Sequence, residues 1–509
     1  VIASRKSFSF YNKPIVKERK GVYNEASSIE GTEKLRYKIP RLELFDTQGL
    51  DSETVRSLKM MILAVGFGVI HFNINAGIAM AGYLRALGVT DFIFGLLFAI
   101  GPLLSPLQLA ASYLLERTRQ RKKMFMFAGF VQRVVWLPFG LIPFFIPMDA
   151  LALRIWMVAL FMFTAAFAGP FMNVSFFSLA ADIVPEHIRG RYFAVRMRVS
   201  TVFGIFGGLM AAWILDNIDP FYSYAVVFAL SAAMGTLDVA CFFRVKFPEM
   251  TVQEKEKGDG FFKMIYDVFQ NKPYMRFIFF MTIWWFSISL AGPFILVHLR
   301  EGVQLSNTLI IAAVQIVPSI CAVLAAAFWG RNLDTHGNKP VMQLANGILC
   351  FAPFLWVFTG NNAVSVVLVM LIGLMQGLLL PGFDLGVNNV MLGQAPKINR
   401  SMYFAMYFTI TSIVGVAVGN ATGGWLLENV FYHAEAAQFS LLGVTLTRFS
   451  YLFALTAVLR CIVVYILLPR MVNVKGERAI PVMELVRGIA ADLRRGMAHR
   501  IQLLRRRKK

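Results

Sequence analysis

Asp384 sits in the apolar run LLLPGFDLGVNNVML (378–392), three residues past Pro381, with Asn388 one helical turn further on. A carboxylate in such surroundings is expensive unless it is paired, hydrated or protonated. It can therefore trade a proton against a cationic or polar cargo. The alternative is a packing role, with Asp384 bonded to Asn388 or to the carbonyl that Pro381 frees. A second polar set lies at His71, Asn73 and Asn75. His71 and Asn75 share a helix face at i, i+4, while Asn73 points elsewhere. A histidine can titrate in the physiological range, although a lone one among apolar residues also serves as a helix contact. Trp284 and Trp285, with Gln376, offer an aromatic and amide wall.

The elements that position these residues are apolar runs. Hydrophobic residues make up 57% of the 509 residues and charged residues only 16%. The runs are near the roughly 20 residues that span a bilayer's hydrocarbon core. We place twelve, near 58–83, 91–115, 123–147, 152–180, 192–216, 222–245, 275–299, 306–329, 339–359, 363–390, 402–427 and 446–470. This composition excludes a soluble enzyme, a disordered chain and a secreted disulfide scaffold. Residues 1–57 read as a polar tail without a signal-peptide core, 246–274 as a polar linker, and 471–509 as a basic tail.

Lys plus Arg number 50 against 29 Asp plus Glu, a net +21. Most basic residues lie in the two tails and at the even-numbered turns. Arg85, Arg154, Arg300 and Arg448 fall on the other side, and Arg133 and Arg460 lie within spans. By the positive-inside rule both termini are cytoplasmic. This accounts for the charge better than nucleic-acid binding. In the C-terminal tail Leu485, Ile489, Leu493 and Met497 recur at i+4 among arginines, a pattern suited to an anionic leaflet; the alternative is a tail that only sets topology. Cys241, Cys321, Cys350 and Cys461 lie in apolar runs without ligand spacing, so neither disulfide nor metal is expected. No catalytic constellation and no phosphate-binding loop appears, so we expect no enzyme, no cofactor and no direct ATP drive.

The two halves repeat. At an offset of 211, Pro170 meets Pro381, Asn173 meets Asp384, Pro185 meets Pro396, Arg189 meets Arg400, and Tyr192-Phe-Ala meets Tyr403-Phe-Ala. At 215, Ala76-Gly77 meets Ala291-Gly292 and Leu84-Arg85 meets Leu299-Arg300. At 218, the turn after span 2 meets the turn after span 8. Six spans per half give two halves of one orientation. Helix breaks are expected in paired positions, at Gly77 with Gly292 and Pro293, and at Pro170 with Pro381. Paired interruptions point to a transporter's binding site.

Over nearly all of residues 58–470 the sequence resembles the major facilitator superfamily. The family's turn Gly-x-x-x-Asp-Arg-x-Gly-Arg-Lys is matched in the second half by Gly330, Asp334, Gly337 and Lys339. The first-half copy is degenerate, with Ser112 and Arg119 at the two glycines, Glu116 at the Asp, and Arg117, Arg121 and Lys122 kept. The segment ADIVPEHIRGRYFAVR (181–196) is similar to the family's loop between spans 4 and 5, and to a branch of prokaryotic members. The resemblance implies an all-α membrane protein of twelve helices in two pseudo-symmetric six-helix bundles, 58–245 and 275–470, in a bacterial cytoplasmic membrane. It implies a central cavity lined by spans 1, 4, 7 and 10. It also implies a cytoplasmic gate of Glu116, Arg117, Glu186, Arg189, Asp334, Lys339 and Arg400; the alternative is charge that only sets topology. Arg133 and Asp238, at similar depth in peripheral spans, form an expected structural ion pair. Glycines at 204, 207, 208, 415, 419, 423 and 424 permit close approach of spans 5 and 11.

The resulting expectation is a secondary active transporter of a small, amphipathic molecule, coupled to protons, slightly favouring export. Asn173, Asn388, His71, Asn75, Gln376 and Trp285 stand around Asp384 as candidate site residues. Two other readings stand beside it: a scaffold or partner subunit that carries no cargo, and a lipid transporter.

Overall fold

A computed structural model describes residues 50–185, 188–249, 261–396, 400–441, 444–471 and 481–488. Eleven of its helices are long and apolar enough to cross a membrane: Ser52–Ala86, Asp91–Thr118, Leu151–Ile183, Arg189–Asn217, Pro220–Arg244, Lys272–Glu301, Asn307–His336, Asn338–Val357, Ala363–Gln394, Met402–Glu435 and Arg448–Arg470. These are spans 1, 2 and 4 to 12. Span 3 is a chain of three shorter helices, Arg121–Val134, Trp136–Gly140 and Ile142–Phe145. Pro138 and Pro143 cause the breaks, because neither can donate to the carbonyl four residues earlier. A two-stranded antiparallel hairpin, Ser440–Leu441 with Val444–Thr445, joins spans 11 and 12.

Span 1 starts where Asp51 caps it, accepting the Thr54 N–H at 3.0 Å. The Thr54 hydrogen bonds hold the Asp51 carboxyl below the ordinary carboxylate range. Glu53 in the first turn lies 2.9 Å from Lys246 and holds that ammonium above the usual lysine range. These contacts fasten the start of span 1 to the segment following span 6. We call this end of the bundle the tail side, and the opposite end the far side.

Helix breaks are fewer than the sequence suggests. At Gly77 the chain turns extended and span 1 is interrupted. Spans 4, 7 and 10 run on through Pro170, Gly292-Pro293 and Pro381 as single helices. In long apolar helices, neighbouring groups and local adjustments re-satisfy the one backbone bond that proline removes.

The cores show how the halves meet. On the far side one apolar core is common to both halves, joining Phe94 and Phe228 to Phe294 and Phe453. The Phe94 and Phe294 rings stand 5.4 Å apart across the boundary. On the tail side the cores are separate. One runs from Leu58 to Val245 and the other from Val268 to Met471. The cleft between the halves therefore opens to the tail side and is closed on the far side.

The described start of the C-terminal tail helix packs against protein, contrary to the leaflet reading of Leu485. Leu485 is fully buried against Trp329, Leu333 and Val341 of spans 8 and 9. These spans offer an apolar recess that a bilayer surface does not need to supply. Ile489, Leu493 and Met497 lie outside the described residues.

Candidate functional site

Span 10 places Asp384 by the packing of its neighbours. Phe383 packs against Trp284 of span 7 in a tilted pair, 4.8 Å between ring centroids. Gly382 lets Trp329 of span 8 approach, and Gly386 does the same for Met342 of span 9. Two residues separate Asp384 from Gly386, about 200° around a helix, so Asp384 faces away from outlying span 9. It looks towards Tyr407 of span 11, which itself lies beside the Trp285 indole of span 7. The carboxylate is exposed to the cleft and makes no hydrogen bond or ion pair among the described residues. Asn388 is exposed on the same face, and neither it nor a freed carbonyl is bonded to Asp384. At 1.5 Å per residue, Asp384 lies about 18 Å from the tail-side turn at Pro396.

The other expected residues divide. Trp285 is 38% exposed, whereas Trp284 is buried; Gln376 is half-buried. His71 is buried inside the first half. Its Nδ1 lies 2.9 Å from the Ser231 carbonyl and 3.0 Å from the Ser231 hydroxyl, which donates to Asn75 Oδ1 at 3.0 Å. His71 and Asn75 thus join spans 1 and 6, and the structure separates them from the Asp384 wall. Asn73 turns the other way and donates to the Gly204 carbonyl at 3.1 Å.

Asn173 is exposed and lines a cavity of about 250 Å³ together with Arg133, Arg196, Ser200 and Asp238. Arg133 donates to Asp238 at 2.7 Å, and Gly68 leaves the room that the Asp238 carboxylate occupies. Arg196 lies 4.2 Å over the Phe176 ring. Sequence reasoning missed Arg196, yet the signal existed. Its partner at offset 211 is Tyr407, just as Asn173 pairs with Asp384. The two equivalent walls thus carry an amide and a guanidinium in one half, a carboxylate and a phenol in the other.

Of the tail-side gate residues, Arg189, Arg400 and Lys339 make bonds within their own halves. Arg189 reaches the Ala181 carbonyl at 3.4 Å and Arg400 the Leu392 carbonyl at 3.2 Å, equivalent contacts that close the ends of spans 4 and 10. Lys339 donates to the Pro469 and Met471 carbonyls at 2.6 and 2.9 Å. Its repeat partner Arg121 donates to the Pro248 carbonyl and to Asp182, each at 2.6 Å. Glu116, Arg117 and Asp334 are exposed, and Glu186 lies outside the described residues.

The far side carries the closed gate, which sequence reasoning did not identify. Arg85 bonds Asp91 and lies 3.2 Å from Glu301. Arg448 lies 2.7 Å from Asp91. Glu428 accepts the Phe92 N–H at 2.8 Å. Asp216, ending span 5, accepts four hydrogen bonds of 2.6–3.1 Å from Asn307 and Thr308 at the start of span 8. Gln315 donates to the Gly204 carbonyl at 2.8 Å. Gly95 and Gly424 let spans 2 and 11 touch, since a Cβ on either would strike the other helix's backbone.

A family model described as the Major Facilitator Superfamily matches residues 60–317. The chain belongs to the Major Facilitator Superfamily. Among curated relatives, a multi-drug resistance efflux pump PmrA homolog of Lactococcus lactis subsp. lactis (strain IL1403) is 28% identical over 151 residues. That match covers 28% of this chain and about a third of the relative, 34%. Solved structures share the superfamily fold at low identity. The nucleoside transporter NupG has a TM-score of 0.59 at 13% identity, covering 82% of this chain and 99% of that one. A bacterial homolog of the human lysosomal transporter Spinster, in an inward-facing and unoccupied conformation, has 0.62 at 12%, covering 85% and 100%. A D-xylose-proton symporter has 0.60 at 11%, covering 83% and 100%. This superfamily member is thus a multi-pass integral membrane protein with two related six-helix halves.

Proposed function

We propose that this chain is a secondary active transporter that moves a small, amphipathic molecule across the membrane by alternating access, coupled to protons. The observation that carries the reading is the unpaired Asp384 carboxylate on the wall of a cleft that is open on one side and gated on the other. Two halves that rock about such a cleft expose it to each side in turn. A proton on Asp384 removes the cost of enclosing its charge, and a cationic group on the cargo does the same. The exposed Trp285 supplies an apolar face. The efflux-pump relative supports export of an amphipathic compound.

The abundance of basic residues at the tails and even-numbered turns supports a cytoplasmic side for both termini. On that reading the cleft is open to the cytoplasm. A bacterial cytoplasmic membrane suits the prokaryotic resemblance. The basic residues of the tail from Arg494 onward suit the anionic surface of the same leaflet.

The test is flux of ethidium, an amphipathic cation, driven by a pH gradient in proteoliposomes. The wild type should accelerate flux, and Asp384→Asn should remove its dependence on the gradient. Gradient-driven flux unchanged in Asp384→Asn would take Asp384 out of the coupling role. A wild type inert towards ethidium and a panel of other amphipathic cations would favour the scaffold reading.

A further inference from the structure

A second cavity outside the cleft lies on the outer surface of the second half. It is a groove of about 900 Å³ between the start of span 7 and the end of span 12. Lys272 and Arg276, one turn apart, edge it on span 7, and Arg470 edges it on span 12. All three are exposed, and none has an ion pair among the described residues. Among the described residues no acidic one lines the groove. Deeper along the same helix face stand Met275 and Phe279, with Leu467 opposite. Phe279 is 57% exposed and lies seven residues past Lys272, about 10 Å further into the membrane. The groove thus has a cationic rim at the tail-side boundary and an apolar floor beneath it.

We propose that this groove is a binding site for an anionic phospholipid. The phosphate sits among Lys272, Arg276 and Arg470, and an acyl chain lies along Phe279 and Leu467. Each half of the argument selects the same occupant. Three cations at one rim, unpaired among the described residues, repel a cationic partner and attract a phosphodiester, with attraction adding per cation near an anionic surface. A floor that runs into the hydrocarbon region matches an acyl chain and gives a free phosphate nothing to cover. The helix Phe261–Gln270 reaches the rim through Phe269 and packs beside span 7, so a lipid held here would steady the approach to the second half. The proposal requires only that the chain spans a membrane, whether or not it transports.

The test is native mass spectrometry of the full chain in detergent, with phosphatidylglycerol and phosphatidylcholine of identical acyl chains. Inorganic phosphate serves as a third probe. The wild type should retain phosphatidylglycerol about tenfold or more over phosphatidylcholine, and phosphate should not displace it. The triple variant Lys272→Gln, Arg276→Gln, Arg470→Gln should lose that preference. Arg505→Gln, Arg506→Gln, Arg507→Gln in the tail should keep it. Phosphatidylglycerol should also raise the melting temperature of the wild type but not of the rim variant, while equal melting of both in phosphatidylcholine shows that the variant folds. Preference unchanged in the rim variant, or lost only in the tail variant, would overturn the assignment, as would full displacement by phosphate.

Discussion

Arg85 and Arg300, equivalent positions of the two halves, each cross the boundary to the other half. Arg85 Nε lies 3.2 Å from Glu301, while Arg300 reaches the notch at Gly82 and lies 5.9 Å from the Tyr224 ring. The internal repeat thereby supplies two exchanged arginines that fasten the far side. Removing one should loosen the closed gate. Arg85→Gln should raise labelling of a cysteine placed in the cleft by a far-side thiol reagent. Arg85 and Glu301 are partly exposed, so their own pairing contributes about 1 kcal/mol or less. The Asp91 that Arg85 leaves behind is buried, which adds to the cost. The exchange Arg85→Glu with Glu301→Arg should recover the gate only in part, because Asp91 would then face a carboxylate. Full recovery would show that Asp91 has no share in the gate.

The Arg133–Asp238 pair is enclosed in the first half. Breaking a buried pair by removing one partner leaves an unpaired charge and costs about 3–5 kcal/mol. Asp238→Asn should therefore lower thermal stability more than the double change Arg133→Met with Asp238→Leu. Arg196 shares the cavity and keeps a second cation there, so the charge exchange of Arg133 and Asp238 should fold less well than the wild type. A single variant as stable as the double would show that the pair is not enclosed.

Arg119 adopts a left-handed conformation with φ 55°, where its repeat partner Gly337 has φ 88°. The two turns share a positive φ but not ψ, which is 14° at Arg119 and 167° at Gly337, and Arg119 carries strain because a side chain in the left-handed region costs about 1–2 kcal/mol. Arg119→Gly should stabilise the protein by about 1 kcal/mol, read as a higher melting temperature in detergent. A lower melting temperature would mean that the Arg119 side chain holds more than its backbone loses.

The sequence revealed the spans because apolar runs of membrane length leave few alternatives. Span 3 differed because Pro138 and Pro143 are spaced to break it twice, which run length does not record. Pro170, Pro293 and Pro381 looked like breaks by residue type alone, whereas continuity depends on what the neighbouring helices supply. Asp384 was legible as a lone acid at depth. His71 was not resolvable by periodicity, since its partner Ser231 lies 160 residues away. The far-side gate escaped because Asp91, Asp216, Glu301 and Glu428 are ordinary turn residues in sequence. Only the closed state, in which the halves touch there, gives them partners.

The central claim is that the halves rock about Asp384 and that its protonation biases the movement. Enclosing an unpaired carboxylate is costly, so acidification should favour closing the cleft around the neutral acid. Distances between spin labels on the two halves read this directly, one pair at Thr118 and Thr335 on the tail side, the other at Leu87 and Gly302 on the far side. On going from mildly alkaline to mildly acid pH, the tail-side distance should shorten and the far-side distance lengthen in the wild type, and Asp384→Asn should hold the acid distribution at both pH values. Distances that ignore pH in the wild type, or respond equally in Asp384→Asn, would contradict the account.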